Sequence, residues 1–110
     1  MYHGVKCFNV FCIVFGVFIC SAHTQKAIPT DVKILLDKYL CVACHKLEEK
    51  LIGPSYIELA QKGQNIKEIS ALIYEPKPSN WPGYPPMAPM PHLPKEDVKK
   101  IAIWIMSLKK

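Results

Sequence analysis

Apolar residues recur in this chain at intervals of three and four, the spacing that places side chains on one face of an α-helix. The pattern predicts a first helix that begins at Asp31, with Thr30 as its N-cap. The predicted apolar face of this helix consists of Val32, Leu35, Leu36, Tyr39 and Leu40. No stretch alternates apolar and polar residues for long enough to predict a strand, so the pattern indicates an all-α protein.

Glycine and proline mark the ends of two short helices in the middle of the chain. The second helix is predicted to begin at Pro54 or Ser55 and to end at Gly63. The third helix is predicted to follow Asn65, its N-cap, and to stop before Pro76. Its predicted buried side consists of Ile66, Ile69, Leu72 and Ile73.

A last helix is predicted to follow Pro94. Glu96 and Asp97 fall in its first turn, and Lys109 and Lys110 are expected in its last turn. These charges complement the helix dipole at both ends. Its apolar face consists of Val98, Ile101, Ala102, Trp104, Ile105 and Leu108. The chain is therefore predicted to form three to four short helices.

Residues 75–94, here called the proline loop, hold eight of the ten prolines of the chain. So many prolines exclude a helix or a central strand, and they stiffen the backbone. The loop also carries Trp81, Tyr84, Met87 and Met90, which a solvated tail would not need. We therefore predict an ordered loop that wraps over the helices.

The first 22 residues form a segment of different composition. The run from Cys7 to Cys20 carries no charge, Lys6 precedes it, and the small residues Ser21 and Ala22 follow it. This order is typical of a secretory signal peptide, with an uncleaved membrane anchor as the alternative. Residues 23–29 are a lead-in, and residues 30–110 form the single folded domain.

The net charge of the chain is +5, and every basic residue other than histidine is lysine. Nucleic-acid readers usually recruit arginine, because its guanidinium makes bidentate contacts to bases and phosphates. The lysines here are interspersed with acidic residues. The composition therefore argues against a nucleic-acid partner and leaves a modest attraction to acidic proteins.

The stretch CVACH, residues 41–45, carries the candidate chemistry. A redox disulfide would need a strand–helix context, and a structural zinc site would need a second ligand pair, which His23 and His92 do not form. The third use of C-x-x-C-H is covalent attachment of haem. The thiols of Cys41 and Cys44 can each add to one haem vinyl group, and His45 then lies under the porphyrin.

Four features resemble the small bacterial class I cytochromes c over residues 30 to 108. They are CVACH after an amphipathic helix, the Gly53-Pro54 pair, a loop with Trp, Pro and Met, and a last helix ending in IAIWIMSLK. The resemblance implies a few helices around one covalently bound haem c per chain. It also implies a role in shuttling single electrons.

The resemblance assigns roles to individual residues. It implies that Cys41 and Cys44 form the thioether links and that His45 is the proximal ligand of the iron. The carbonyl of Pro54 would accept a hydrogen bond from the ligand histidine, which would fix the tautomer of its ring. Trp81 would lie near a haem propionate. Trp104 would pack against the first helix.

The distal ligand is assigned by the spacing of the family's Pro-Met loop. Met87 fits this spacing without a gap, and Met90 is the alternative, which needs a shorter loop. His92 or an open site are the remaining choices. The sequence departs from the family pattern at Leu40, where a glycine is common, and at Pro94, which replaces a capping Ser or Thr.

His/Met ligation leaves no open position on the iron, so the resemblance implies a one-electron carrier rather than an enzyme. The leader predicts export to the periplasm, and a membrane location only if it stays uncleaved. The expected partners are redox proteins that meet the haem edge transiently, with Lys46, Lys50 and Lys77 steering an acidic surface. The alternatives are a haem subunit of a larger oxidase or dehydrogenase complex, and a haem enzyme or gas sensor with a displaceable ligand.

Overall fold

A computed structural model describes residues 27–110 of the protein, so the predicted leader lies outside the described residues. Four α-helices follow one another along the chain: α1 (Thr30–Lys38), α2 (Tyr56–Gln61), α3 (Ile66–Tyr74) and α4 (Lys95–Ser107). Two short 3₁₀-helices cover Cys41–Ala43 and Pro78–Asn80. No strand occurs within residues 27–110, which confirms the predicted all-α class. None of the helices described is long and apolar enough to cross a membrane.

Helix α4 is the centre of the fold, because α1, α2 and α3 all pack against it. The whole predicted apolar face of α4 is buried, and all of it except Val98 forms one core with Val32 and Leu36 of α1. Trp104 is 5% exposed and belongs to this core. A polar contact also joins the end of α1 to α4: the hydroxyl of Tyr39 donates a hydrogen bond to Asp97.

Both ends of α1 differ from the prediction. Thr30 is the first residue of the helix rather than its cap, and Pro29 is the N-cap without a side-chain hydrogen bond. The extended backbone of Pro29 directs its carbonyl oxygen to Lys33 N, 2.8 Å away, and this bond starts the helix one residue early. Leu40 does not belong to the buried face: it is 72% exposed and has a left-handed backbone, φ 58°.

Two capping boxes start the middle helices. In α2 the Ser55 hydroxyl accepts from Glu58 N and the Glu58 carboxylate accepts from Ser55 N, and Asn65 and Glu68 repeat the arrangement in α3. Such boxes satisfy two backbone N–H groups that the helix itself leaves free. Gly63 joins the two helices at φ 87°, which favours glycine. The predicted cap of α3, Asn65, is thereby confirmed, whereas α2 begins at Tyr56, one residue later than predicted, because Ser55 is its cap and not its first residue.

Two predictions are wrong, one for the buried side of α3 and one for the end of α4. Ile66 is 38% exposed, so the buried side of α3 is narrower than expected. Helix α4 ends at Ser107, and Lys109 and Lys110 lie beyond its last turn. The reason is a tightened end, because Leu108 N donates to Ile105 O and Lys109 N donates to Met106 O, three residues back in each case.

The proline loop is ordered against the helices, as predicted. Tyr74, the last residue of α3, holds the second half of the loop: its carbonyl accepts from Met90 N at 3.3 Å, and its hydroxyl donates to Leu93 O at 3.1 Å. In the first half, the rings of Trp81 and Tyr84 meet edge to face with centroids 5.8 Å apart. The loop therefore passes back from α3 to the start of α4 along one side of the fold.

Candidate functional site

A cavity of about 330 Å³ lies between the CVACH stretch, the helices and the proline loop. Its walls are mostly apolar, and its volume falls in the range of cofactor pockets, roughly 300–1,000 Å³. The site residues predicted from the sequence all line it: Cys41, Cys44, His45, Pro54, Trp81, Met87 and Met90. His92 is exposed and is not among the lining residues.

The CVACH stretch forms a tight turn at one side of the cavity. The Cys41 carbonyl accepts hydrogen bonds from Cys44 N at 3.2 Å and from His45 N at 3.0 Å. This turn brings both cysteines to the same cavity wall, where they are half-buried free thiols. Burial raises the pKa of the Cys41 thiol. Two thiols and an imidazole therefore reach one space from five consecutive residues.

The imidazole of His45 is held in one orientation. Its Nδ1 lies 2.7 Å from the carbonyl oxygen of Pro54. Because a carbonyl can only accept, Nδ1 carries the hydrogen and Nε2 keeps its lone pair. Such a bond is the usual support of a metal-ligating histidine. The ring of His45 thus offers Nε2 as a ligand atom.

Gly53 allows this arrangement because it has no side chain. A Cβ at this position would lie 2.6 Å from Cε1 and 2.9 Å from Nδ1 of His45. The Gly53 N–H also donates to Cys44 O at 2.7 Å, which closes the loop between the thiols and Pro54. The sequence pointed to Gly53 through its pairing with Pro54, but the contact with the imidazole was not predicted.

Tyr56 is a lining residue that the sequence analysis missed. It is 3% exposed, its ring centroid lies 5.5 Å from that of His45 and 4.8 Å from that of Trp104. Its hydroxyl is buried and has no hydrogen-bond partner among residues 27–110. Burial, and then the charge of nearby Cys41, raises the pKa of this hydroxyl well above its ordinary value. Nothing in the local pattern YIELA marks this tyrosine as part of a site.

The two methionines reach the cavity from the opposite side, along the proline loop. Met87 is 37% exposed, whereas Met90 is half-buried and its backbone N–H is bonded to Tyr74. Both line the cavity, so both can present a thioether sulfur to it. The choice between Met87 and Met90 therefore stays a prediction.

Part of the lining is polar. Gln64, Lys77, Asn80 and Trp81 carry polar groups and all line the cavity. Gln64 and Asn80 were not predicted, and Lys77 was expected only to steer a partner. Neither the type nor the spacing of these residues marks them in the sequence, because Gln64 and the loop residues line one cavity only in the folded chain.

These features together suit a flat, apolar macrocycle that carries iron and carboxylates. The thiols of Cys41 and Cys44 would hold its edge, Nε2 of His45 and a methionine thioether would supply ligands to the metal, and the apolar lining would surround the ring. No group of three or more His, Cys, Asp and Glu side chains that could hold a bare metal ion occurs in the described part of the chain. The donor set thus fits a haem.

The family model that describes cytochrome c matches residues 31–109. The chain belongs to the cytochrome c family. It is 38% identical over 73 residues to cytochrome c-551 of Pseudomonas denitrificans, which covers 63% of this chain and 87% of the relative. Cytochrome c-552 of Nitrosomonas europaea is 32% identical over 98 residues, 86% of this chain and 94% of the relative.

The fold comparison agrees. The crystal structure of wild-type Nitrosomonas europaea cytochrome c552 matches with a TM-score of 0.63 and 31% sequence identity, over 70% of this chain and 99% of that one. This cytochrome therefore has the class I fold and binds one haem c covalently, with Cys41 and Cys44 in its C-x-x-C-H motif. It is a one-electron carrier and not an enzyme, as its sequence predicted.

Proposed function

We propose that this cytochrome carries electrons between redox proteins of the periplasm, with a haem iron bound by His45 and Met87. The observation that carries the proposal is the 2.7 Å hydrogen bond from His45 Nδ1 to Pro54 O, at the wall that Cys41 and Cys44 share. It leaves Nε2 as the only ring nitrogen that can bind a metal. When bound, haem supplies an iron that alternates between two oxidation states by one electron.

Cys41 and Cys44 would hold the haem through thioether bonds, so that it cannot leave during repeated encounters. Pro54 would keep the imidazole from rotating when the charge of the iron changes. Since Gly53 and Pro54 are both buried, the hydrogen bond is shielded from water. The rigid backbone on this side supports rapid transfer, because little has to rearrange with each electron.

Met87 would supply the distal sulfur, and Met90 is the alternative. Sulfur ligation favours the reduced iron and fills its last position, which disfavours binding of oxygen or peroxide. The methionine that does not bind would cover the edge of the haem with apolar surface, a role that its flexible side chain suits.

The polar wall would receive the propionates. Haem carries two carboxylates, and these need donors in a pocket that is otherwise apolar. Trp81 was assigned to this role by the resemblance. Asn80, Gln64 and Lys77 also line the cavity, and Lys77 is the lysine among the lining residues.

The leader, residues 1–22, supports export to the periplasm, where cleavage would leave residues 23–29 as a lead-in to the domain from residue 30. The partners would be redox proteins that contact the haem edge briefly, and acidic surfaces on them would be favoured by Lys46, Lys50 and Lys77. A stable place in a larger oxidase or dehydrogenase complex is the second candidate. Purification of the cytochrome alone, without partners, would separate the two.

Spectra of three proteins test the ligands. Ferric protein with a bound thioether shows a weak far-red sulfur-to-iron band. Met87→Ala should lose this band and show high-spin iron, whereas Met90→Ala should keep it. The reverse result would make Met90 the ligand, and loss in neither variant would refute methionine ligation. Extraction with acid and acetone tests the attachment, because a covalent haem c stays with the polypeptide.

A further inference from the structure

Glu58 has contacts in two different parts of the molecule. Its Oε2 accepts a hydrogen bond from Ser55 N at 2.8 Å and so caps α2. Its Oε1 accepts a second hydrogen bond, at 3.3 Å, from the hydroxyl of Tyr84 in the proline loop. Tyr84 lies only three residues before Met87. One carboxylate thus joins a helix to the loop that carries both methionines.

Two lysines from outside the loop contact its aromatic rings. Lys50 Nζ lies 4.4 Å from the ring centroid of Tyr84, and Lys62 Nζ lies 4.6 Å from that of Trp81. The faces of both rings attract cations at these distances. The rings of Trp81 and Tyr84 also pack edge to face, so both lysine contacts hold the same segment of the proline loop. We call Glu58, Lys50, Lys62, Trp81 and Tyr84 the loop anchor.

We infer that Glu58 is a positioning residue for the distal ligand: through Tyr84 it fixes the part of the proline loop that presents methionine to the cavity. The inference rests on the proposed function, since it requires a ligand from this loop. The contacts of the loop support it. Tyr74 holds Met90 and Leu93 near the α4 end, whereas the backbone bonds of Trp81 and Tyr84 stay within the loop, so this segment is joined to the rest of the fold through its side chains.

Glu68 provides a matched control. It makes the same capping box at the start of α3, where its Oε2 accepts from Asn65 N at 2.8 Å. Among residues 27–110, its carboxylate has no second hydrogen bond that would reach the loop. Any effect of losing a charged cap should therefore be common to Glu58 and Glu68. An effect on the loop should belong to Glu58 alone.

The test uses Glu58→Gln and Glu68→Gln in the haem-loaded protein. A glutamine still serves a capping box, but its amide has one acceptor oxygen instead of two. Glu58→Gln should therefore keep the cap and turn its NH2 group toward Tyr84, where a weaker neutral hydrogen bond, donated to the hydroxyl, replaces the charge-assisted bond that the carboxylate accepts. The readout is the rate at which added imidazole replaces the sulfur ligand of the ferric iron, followed by loss of the far-red band. This rate reports how often the loop releases its methionine.

We expect Glu58→Gln to raise the replacement rate about fivefold, the factor for exchanging a charge-assisted hydrogen bond for a neutral one. Glu68→Gln should leave it unchanged. Tyr84→Phe, which removes the bond altogether, should raise the rate at least as much, and combining it with Glu58→Gln should add no more. Equal rates for Glu58→Gln and Glu68→Gln, or full additivity with Tyr84→Phe, would overturn the inference.

Exchange of the hydrogen-bonded amides of Trp81, Tyr84 and Met90 gives an independent answer. It should become faster in Glu58→Gln and stay unchanged in Glu68→Gln, whatever residue binds the iron. If the unchanged protein lacked the far-red band, the methionine ligation would fail. Amide exchange would then still test the contact of Glu58 with the loop. Failure of the proposed methionine ligation and failure of this inference are therefore distinguishable.

Discussion

The two sides of the cavity differ in what holds them. The His45 side, residues 41–56, is joined by backbone hydrogen bonds that reach across the segment, such as Gly53 N to Cys44 O at 2.7 Å and Tyr56 N to Lys46 O at 2.9 Å. The methionine side is the proline loop, which one backbone bond, Met90 N to Tyr74 O at 3.3 Å, and two tyrosine hydroxyls, Tyr74 to Leu93 O at 3.1 Å and Tyr84 to Glu58 at 3.3 Å, join to the helices.

Burial differs in the same sense. The four residues 53–56 are all buried, whereas most of the segment 81–90 is exposed. The imidazole of His45 is therefore supported mainly by backbone hydrogen bonds, whereas the methionines of the proline loop are supported mainly by side-chain contacts. We therefore expect substitutions on the His45 side to change stability, and those on the methionine side to change ligand exchange.

The largest expected effect follows from Gly53→Ala. The added methyl group would lie 2.6 Å from Cε1 of His45, so either the ring or the backbone must move. Overpacking of this kind costs about 1–3 kcal/mol. Chemical denaturation of the haem-loaded protein should show this loss, and the ligand spectrum should shift as the bond to Pro54 weakens.

Gly83→Ala is the control on the methionine side. A Cβ at Gly83 meets nothing within 4 Å, and the backbone there is not left-handed. Its unfolding free energy should stay within about 0.5 kcal/mol of the parent, as for most surface changes. Equal losses at Gly53 and Gly83 would contradict the contrast between the two sides.

The next largest changes in the free energy of unfolding are expected at two tyrosines, and they have opposite signs. Tyr56→Phe removes a buried hydroxyl that has no partner among the described residues, so we expect a gain of about 1 kcal/mol. Tyr39→Phe removes a hydroxyl bonded to Asp97 and should cost about 1 kcal/mol. Thermal or chemical unfolding measures both. A loss at Tyr56 would mean that its hydroxyl is satisfied in the haem-loaded protein.

A smaller gain in the free energy of unfolding is expected when Leu40, the residue before Cys41, is replaced by glycine. Its left-handed backbone disfavours any residue with a Cβ, and its side chain is 72% exposed, so little packing is lost on replacement. Leu40→Gly should stabilise the protein by about 0.5–1 kcal/mol. Leu40→Ala keeps the strain and should show no gain in the same unfolding experiment.

The smallest effect is a pH dependence at the loop anchor. The hydrogen bond from Ser55 N, followed by those from the Ser55 and Tyr84 side chains and the charge of Lys50, holds the pKa of Glu58 below its usual value. A lowered folded-state pKa means that the stabilisation is complete above the unfolded pKa, about 4.3, and is lost as the pH falls through the folded value.

Unfolding curves measured between about pH 5 and pH 3 test this sign. The parent should lose stability more steeply with falling pH than Glu58→Gln, which has no carboxylate at this position to protonate. Parallel curves would show that the carboxylate of Glu58 does not contribute through its charge.

The helices and the His45 side could be predicted because their determinants are local. The face of α4 follows from residue spacing alone, and CVACH with Gly53-Pro54 fixes two thiols and one imidazole within fourteen residues. Pro29 shows the limit of such local rules. Threonine is a common N-cap, but the helix begins one residue earlier than predicted because the Pro29 carbonyl accepts a hydrogen bond from Lys33 N. Leu40 shows another, since its helical spacing did not reveal that the chain turns there.

Contacts across the fold could not be predicted in this way. Glu58 and Tyr84 are 26 residues apart, and the spacing of either says nothing about the other. The S-x-x-E pattern of Ser55 and Glu58 would have indicated the capping box, but not its second bond. The distal methionine stays a prediction for the same reason, because Met87 and Met90 both line the cavity and local spacing does not distinguish them physically.

Tyr74 gives the methionine side a property of its own. By accepting from Met90 N and donating to Leu93 O, it ties the far end of the loop back to the residue just before the loop begins. The intervening residues thus form an Ω-loop with a closed base. A change of length near Gly83 should therefore disturb the contacts of Trp81 and Tyr84 while the closed base leaves α3 and α4 in place.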